Sequence, residues 1–140
     1  MIPSDTRPAP RAASPLAGFD RLLEHAPGAG ATAVRNIPNT LQVFTTHFPR
    51  KPVLPGVLAL ESLAALAAVV CDPDAPERWT TSGASGVRFR HFVTAGDELE
   101  LRVRLVERAG GTARFTAEAR VGDRVVVGVR TLALTVVEET

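Results

Sequence analysis

The 140-residue sequence has one cysteine, one lysine, one tryptophan and no tyrosine. A single thiol, Cys71, cannot close an intramolecular disulfide, so the chain does not read as a secreted disulfide scaffold. Acidic and basic residues nearly cancel, 15 against 16, for a net charge of +1. Nucleic-acid binding usually needs a strong basic excess or patch, so no nucleic-acid partner is expected. Three histidines and one cysteine show no metal-ligand spacing, and no metal is expected. Residues 1–16 contain four prolines and no apolar core segment, which reads as a disordered tail and not a signal peptide. Only residues 52–70 raise the question of a membrane span. They include Pro52, Pro55 and, near the middle, Glu61, and a mid-span acid costs about 2.5–3.5 kcal/mol on insertion. The run is also barely long enough. The expectation is a helix inside a soluble, cytoplasmic protein, with residues 17–140 forming a single domain large enough to bury a core.

Two apolar patterns are present. Residues 18–26 (GFDRLLEHA) set Phe19, Leu22 and Leu23 at helical spacing and predict a short helix or turn. Residues 31–36 and 41–46 read as extended, with a turn between them. Residues 47–56 hold three prolines and predict no regular structure. Residues 57–70 are nearly all Val, Leu and Ala, apolar on every side, which marks a helix surrounded by protein. Pro55 suits its first turn, and residues 71–74 end it. The period then changes to two. Residues 87–92, the alternating Leu99, Leu101, Val103 and Leu105, then Ala113, Phe115, Ala117, Ala119 and Val121, and the run 125–137 predict strands with one buried face. Gly110-Gly111 and Gly122-Asp123 mark hairpin turns. The fold class is α+β, one apolar helix wrapped by an antiparallel sheet.

The candidate chemistry lies where the two patterns meet. His47 ends an extended stretch and opens a loop whose prolines restrict the backbone. The Gly56 and Val57 amides fall in the first helical turn, where N–H groups lack intrahelical partners and stabilise developing negative charge. Glu61 and Ser62 are the polar side chains of the run from Val53 to Val70. A carboxylic acid beside a neutral imidazole makes a general acid–base pair. Each residue also has a plainer role open to it: His47 as a structural loop residue, Glu61 as the solvent-facing position of the helix. Cys71 reads as structural, and His25 and His91 stand in no motif.

The segment HFPRKPVLPGVLALESLAALA resembles the pattern HFPGxPVxPGVLxxEAxAQ of the 3-hydroxyacyl-acyl carrier protein dehydratases of fatty acid synthesis. The matching positions are His47, Phe48, Pro49, Pro52, Val53, Pro55, Gly56, Val57, Leu58, Glu61 and Ala64. Val87 to Arg90 and Ala95 to Leu99 are similar to the family's ARFRRPVxPGDxL, and Phe19 to Leu23 to its N-terminal helix, so the resemblance spans about residues 18–137. It implies a hotdog fold, a dimer, and a site shared by two subunits. His47 of one subunit would remove the proton alpha to the thioester carbonyl. Glu61 of the other would protonate the departing hydroxyl. The Gly56 amide would polarise the carbonyl and the Val53 carbonyl would orient His47. No cofactor is implied beyond the phosphopantetheine arm of an acyl carrier protein, the expected partner.

The sequence departs from the pattern in places. Arg50 stands where the family has glycine, Ser62 where it has alanine, and Ala65 where it has glutamine. Arg50, Lys51, Arg88 and Arg90 are candidate contacts for the carrier's phosphate or acidic surface, or simply solvated charges. The expected function is dehydration in fatty acid or polyketide/polyene-type biosynthesis. The alternatives are a subunit of a heterodimer with a paralogue, or a hotdog thioesterase.

Overall fold

The structure, a computed structural model, describes residues 18–37, 53–54, 56–91, 93–94 and 96–137. In chain order the elements are β1 (Arg21–Ala26), β2 (Gly30–Asn36), β3 (Val53–Leu54), α1 (Gly56–Cys71), a 3-10 turn (Pro76–Arg78), β4 (Trp79–Phe89), β5 (Val93–Thr94), β6 (Glu98–Ala109), β7 (Thr112–Val121) and β8 (Arg124–Val136). One antiparallel sheet has the order β1-β2-β6-β7-β8-β4, and β3 pairs with β5 apart from it. The result is the expected α+β arrangement.

Period-two alternation explains the central strands. Leu99, Leu101 and Val103 on β6, and Ala113, Phe115, Ala117 and Ala119 on β7, are all buried, and Leu101 lies opposite Ala119 with Val103 opposite Ala117. The two tight turns fall where the glycines predict. Gly110 and Gly122 have φ of +60° and +62°, a backbone region that glycine enters without steric penalty.

Helix α1 lies across one face of the sheet, packed against β2, β4, β6, β7 and β8. Ala59, Ser62, Leu63, Leu66, Ala67 and Val70 recur at helical spacing and are buried. They meet Leu99, Leu101, Phe115, Leu132 and Leu134, all under 2% exposed, and each such side chain contributes about 1.5–3 kcal/mol on burial. The helix has no basic residue in its last turn. Arg108 of β6 supplies one: its Nη1 donates to the Cys71 carbonyl over 2.9 Å, and its guanidinium lies 4.9 Å from the Trp79 ring centroid. Among the described residues no helix is long and apolar enough to cross a membrane.

Several expectations need correction. Arg21–Ala26 is a strand and not a helix or turn: pairing with β2 through the turn at residues 27–29 satisfies its backbone groups, and that outweighs the weak helical spacing of Phe19, Leu22 and Leu23. Residues 53–54 are not irregular, since Val53 pairs with Thr94 and Leu54 with Val93. The strand expected at 87–92 begins at Trp79. Residues 80–86 (TTSGASG) lack alternation because β4 is an edge strand exposed there along its whole length. The proposed tail (1–16), the extended stretch at 41–46 and the loop of 47–52 lie outside the described residues.

Candidate functional site

Helix α1 begins at Gly56, one residue before the expected start, so the Gly56 amide stands in the first turn. Five residues on, Glu61 is exposed. The sheet takes the face formed by Ala59, Ser62, Leu63 and Leu66, which leaves Glu61 on the opposite side. Among the described residues, then, nothing encloses the helix on that side, and Glu61 is exposed. Its neighbours on that side, Leu58, Leu60, Ala64 and Ala65, are only half-buried. The acid stands in a strip of half-buried apolar residues on the side away from the sheet's main contact, of which Leu58, Leu60 and Ala64 also pack against the edge of the core.

Below the strip is a buried polar contact. Arg35 on β2 is 3% exposed and Ser62 is 0% exposed; Arg35 Nη1 donates to Ser62 Oγ over 2.8 Å. Burial pushes the guanidinium below its ordinary value, while the carboxylates of Asp20 and Glu61 pull the other way. Asp20 is itself fixed to the end of β2, where its Oδ2 accepts from the Asn36 amide over 2.7 Å. Sequence reasoning singled out Ser62 but missed Arg35. The signal was there: Ala31, Ala33, Arg35 and Ile37 alternate in register and all four are buried, so the arginine occupies an inward position of the strand.

The remaining candidates separate. Val53 lies on β3, next to the residues that start α1. Arg88 and Arg90 are exposed and line a shallow groove of about 710 Å3 with His91, Arg124, Arg130 and Glu118; Glu61 does not line it. His47, Arg50 and Lys51 lie outside the described residues. Cys71 is buried and its thiol is pushed up to about 11, by burial first, with Arg108 opposing and Asp72 adding; it is no nucleophile at neutral pH. The His25 imidazole is lowered by burial, and its Nε2 is enclosed without a hydrogen-bond partner. Among the described residues no group of three or more His, Cys, Asp or Glu could hold a metal ion.

This geometry can be set beside known proteins. The chain is 38% identical over 119 residues to the 3-hydroxyacyl-acyl-carrier-protein dehydratase FabZ of Albidiferax ferrireducens, covering 81% of this chain and 79% of that one. It is 36% identical over 126 residues to the same-named enzyme of Anaplasma phagocytophilum, covering 86% and 87%. Among solved structures it matches the dehydratase heterocomplex ApeI:P of Xenorhabdus doucetiae with a TM-score of 0.75 at 17% identity, covering 91% of this chain and 88% of that one. An uncharacterised protein of Pyrococcus horikoshii matches with a TM-score of 0.74 at 19% identity, covering 99% and 97%. The fold is a hotdog fold. The family described as ApeI-like, ApeI dehydratase, matches residues 24–129, and the chain belongs to that family of dehydratases.

Proposed function

We propose that the chain removes water from a 3-hydroxyacyl thioester held on an acyl carrier protein, giving the 2-enoyl thioester in fatty acid biosynthesis or a related polyketide or polyene assembly. In this reading His47 takes the alpha proton and the electron pair of that C–H bond becomes the new C=C bond. The C–O bond at the beta carbon breaks as Glu61 gives its proton to the hydroxyl, and water leaves. The Gly56 amide donates to the thioester carbonyl oxygen as charge develops there, and the Val53 carbonyl holds the imidazole. The elimination balances with acid and base alone and calls for no metal or redox cofactor.

The observation that carries the reading is the placement of Glu61. It is the acid of α1, a little over one turn from the Gly56 amide, on an apolar strip turned away from the sheet. Such a strip is completed by a second chain, and we assign a dimer. The exposed edge strand β4 supports it. From Thr80 to Gly86 it carries no charge and no proline, the devices that usually keep an edge from pairing. The partner is a second copy or a paralogous hotdog subunit, and the ApeI:P heterocomplex keeps the second choice open. Arg88 and Arg90, with Arg50 and Lys51, are the contacts proposed for the carrier. The proposed compartment is the cytoplasm, where the free Cys71 stays reduced.

The test is to offer the purified chain a 3-hydroxyacyl-carrier protein and follow the loss of water by mass spectrometry. His47→Ala and Glu61→Gln should each lower turnover about 10²–10⁴-fold. If the two residues come from different chains of a homodimer, mixing the two inactive variants restores activity, to roughly a quarter of wild type for random pairing. Hydrolysis in place of dehydration would make the chain a thioesterase. Reaction only after a second hotdog subunit is added would make it half of a heterodimer. Full activity in either single variant would overturn the site.

A further inference from the structure

Arg35 and Ser62 are the buried polar or charged residues among the described residues, and they bond to each other. Packing does not require such a pair. Taking a guanidinium out of water is costly unless it is paired, and buried polar groups can often be replaced by apolar ones of similar volume without loss of stability. Two facts place the pair in relation to the site. Ser62 directly follows Glu61, so the 2.8 Å bond ties the turn of α1 that bears the acid to β2. The carboxylates of Asp20 and Glu61 both favour the guanidinium charge, and Asp20 Oδ2 accepts from the backbone N–H of Asn36.

We propose that Arg35, acting through Ser62, is a positioning residue for Glu61: the bond fixes the helical turn beneath the acid, and the buried charge holds the carboxyl group in one orientation. This rests on the reading of Glu61 as the proton donor. Glu61 is exposed within one chain and its side chain has free rotamers to lose. A brace from below restricts them before substrate arrives, which is where the gain in rate comes from. Arg35 touches no reacting atom in this scheme.

The variants are Ser62→Ala, Arg35→Met and Arg35→Lys, made in the full chain and assayed with a 3-hydroxyacyl-carrier protein. Ser62→Ala removes the acceptor and keeps an alanine-rich helix, so it decides the matter even if an Arg35 variant fails to fold. The expected result is a fall in kcat of about tenfold with KM little changed, because the brace acts on the chemical step. Arg35→Lys keeps charge and donor and should retain most of the turnover that Arg35→Met loses. In a Glu61→Gln background, Ser62→Ala should cause no further fall, since the brace has nothing left to position. A wild-type kcat in Ser62→Ala overturns the proposal, as does a loss confined to KM or one that persists in full on Glu61→Gln. If Glu61→Gln itself turns over normally, it is the reading of Glu61 that fails; if Glu61→Gln is impaired and Ser62→Ala is normal, only the brace fails.

Discussion

Replacing Arg108 by methionine tests whether β6 clamps the end of α1. Three effects converge on that guanidinium. Its bond to the Cys71 carbonyl, at 2.9 Å, is charge-assisted and worth about 1.5–3 kcal/mol. The Arg108 side chain is exposed, so the lower end of that range applies. The Trp79 ring at 4.9 Å adds about 0.5–1 kcal/mol at an exposed site. A cation at a helix C-terminus adds about 0.3–1 kcal/mol, and α1 has none of its own in that turn. The three share one charge and do not simply add, and methionine keeps part of the stem's packing over the ring. The expected loss is about 1.5–2 kcal/mol, or roughly 6 °C in Tm. Trp79 is the chain's one tryptophan and is buried, so urea unfolding followed by its fluorescence reads the site directly. Protein concentration is held fixed, because any dimer would make the midpoint depend on it. Arg108→Lys keeps the charge but loses the planar stacking and should fall between. Arg104→Met, exposed on the same strand, should stay within about 0.5 kcal/mol. A loss below about 0.5 kcal/mol for Arg108→Met, or an equal loss for Arg104→Met, refutes the clamp.

The other tests are quicker. The Cys71 thiol, pushed up to about 11 and buried, should react with an aromatic disulfide reagent only as fast as the protein opens, and at once in denaturant; fast labelling of the folded chain contradicts the burial. The His25 imidazole is lowered by burial, so on acidification the unfolded chain takes up the proton first. Its contribution is present above the unfolded value near 6.5 and is lost as pH falls through the lower folded value. Urea midpoints should therefore drop over that window more in wild type than in His25→Gln, and equal slopes would exclude the effect. At Gly30 an added Cβ would lie 2.7 Å from the Val103 carbonyl oxygen, whereas at Gly128 it would meet nothing within 4 Å. Gly30→Ala should lose about 1–3 kcal/mol and Gly128→Ala less than about 0.5 kcal/mol; the reverse order would refute the close approach of β2 to β6 as the reason for glycine at position 30.

What was legible in the sequence follows from what each element is surrounded by. β6, β7 and β8 are covered on one face only, so Leu99, Leu101, Val103, Ala113, Phe115 and their outward neighbours spell out the alternation that pairing needs, and Gly110 and Gly122 mark the turns. α1 was legible for a different reason, its length of unbroken Val, Leu and Ala. The edges were not. β1 exposes Leu23 at 45% and β4 exposes residues 80–86, so neither is constrained to alternate, and their strand character comes from backbone pairing that leaves no trace in side-chain pattern. Glu61 stands out by the motif around it, and its exposure matches the solvent-facing position that the sequence left open for it. Apolar residues on every side mark a helix surrounded by protein, without saying by how many chains. The same composition arises when one face is covered by the chain's own sheet and the other is kept for something else. Arg35 escaped because a charged residue in a short strand reads as solvent-facing, unless the register of Ala31, Ala33 and Ile37 is carried through it.

The half-buried strip around Glu61 also bears on the proposed mechanism. A carboxyl group open to water is a poor place to complete an elimination: the solvent competes for its proton, and charge developing on the substrate is stabilised by mobile dipoles in place of fixed ones. The described chain supplies a helix start at Gly56, an acid at Glu61 and a buried cation beneath it at Arg35, but no roof over them. Covering the strip formed by Leu58, Leu60, Ala64 and Ala65 would do two things at once. It would remove apolar surface from water, which stabilises whatever does the covering, and it would lower the dielectric around Glu61 and the Gly56 amide, the groups proposed to act on the thioester. Assembly and catalysis would then draw on the same surface, and Ala65→Glu, at a half-buried position of that strip, should weaken both together.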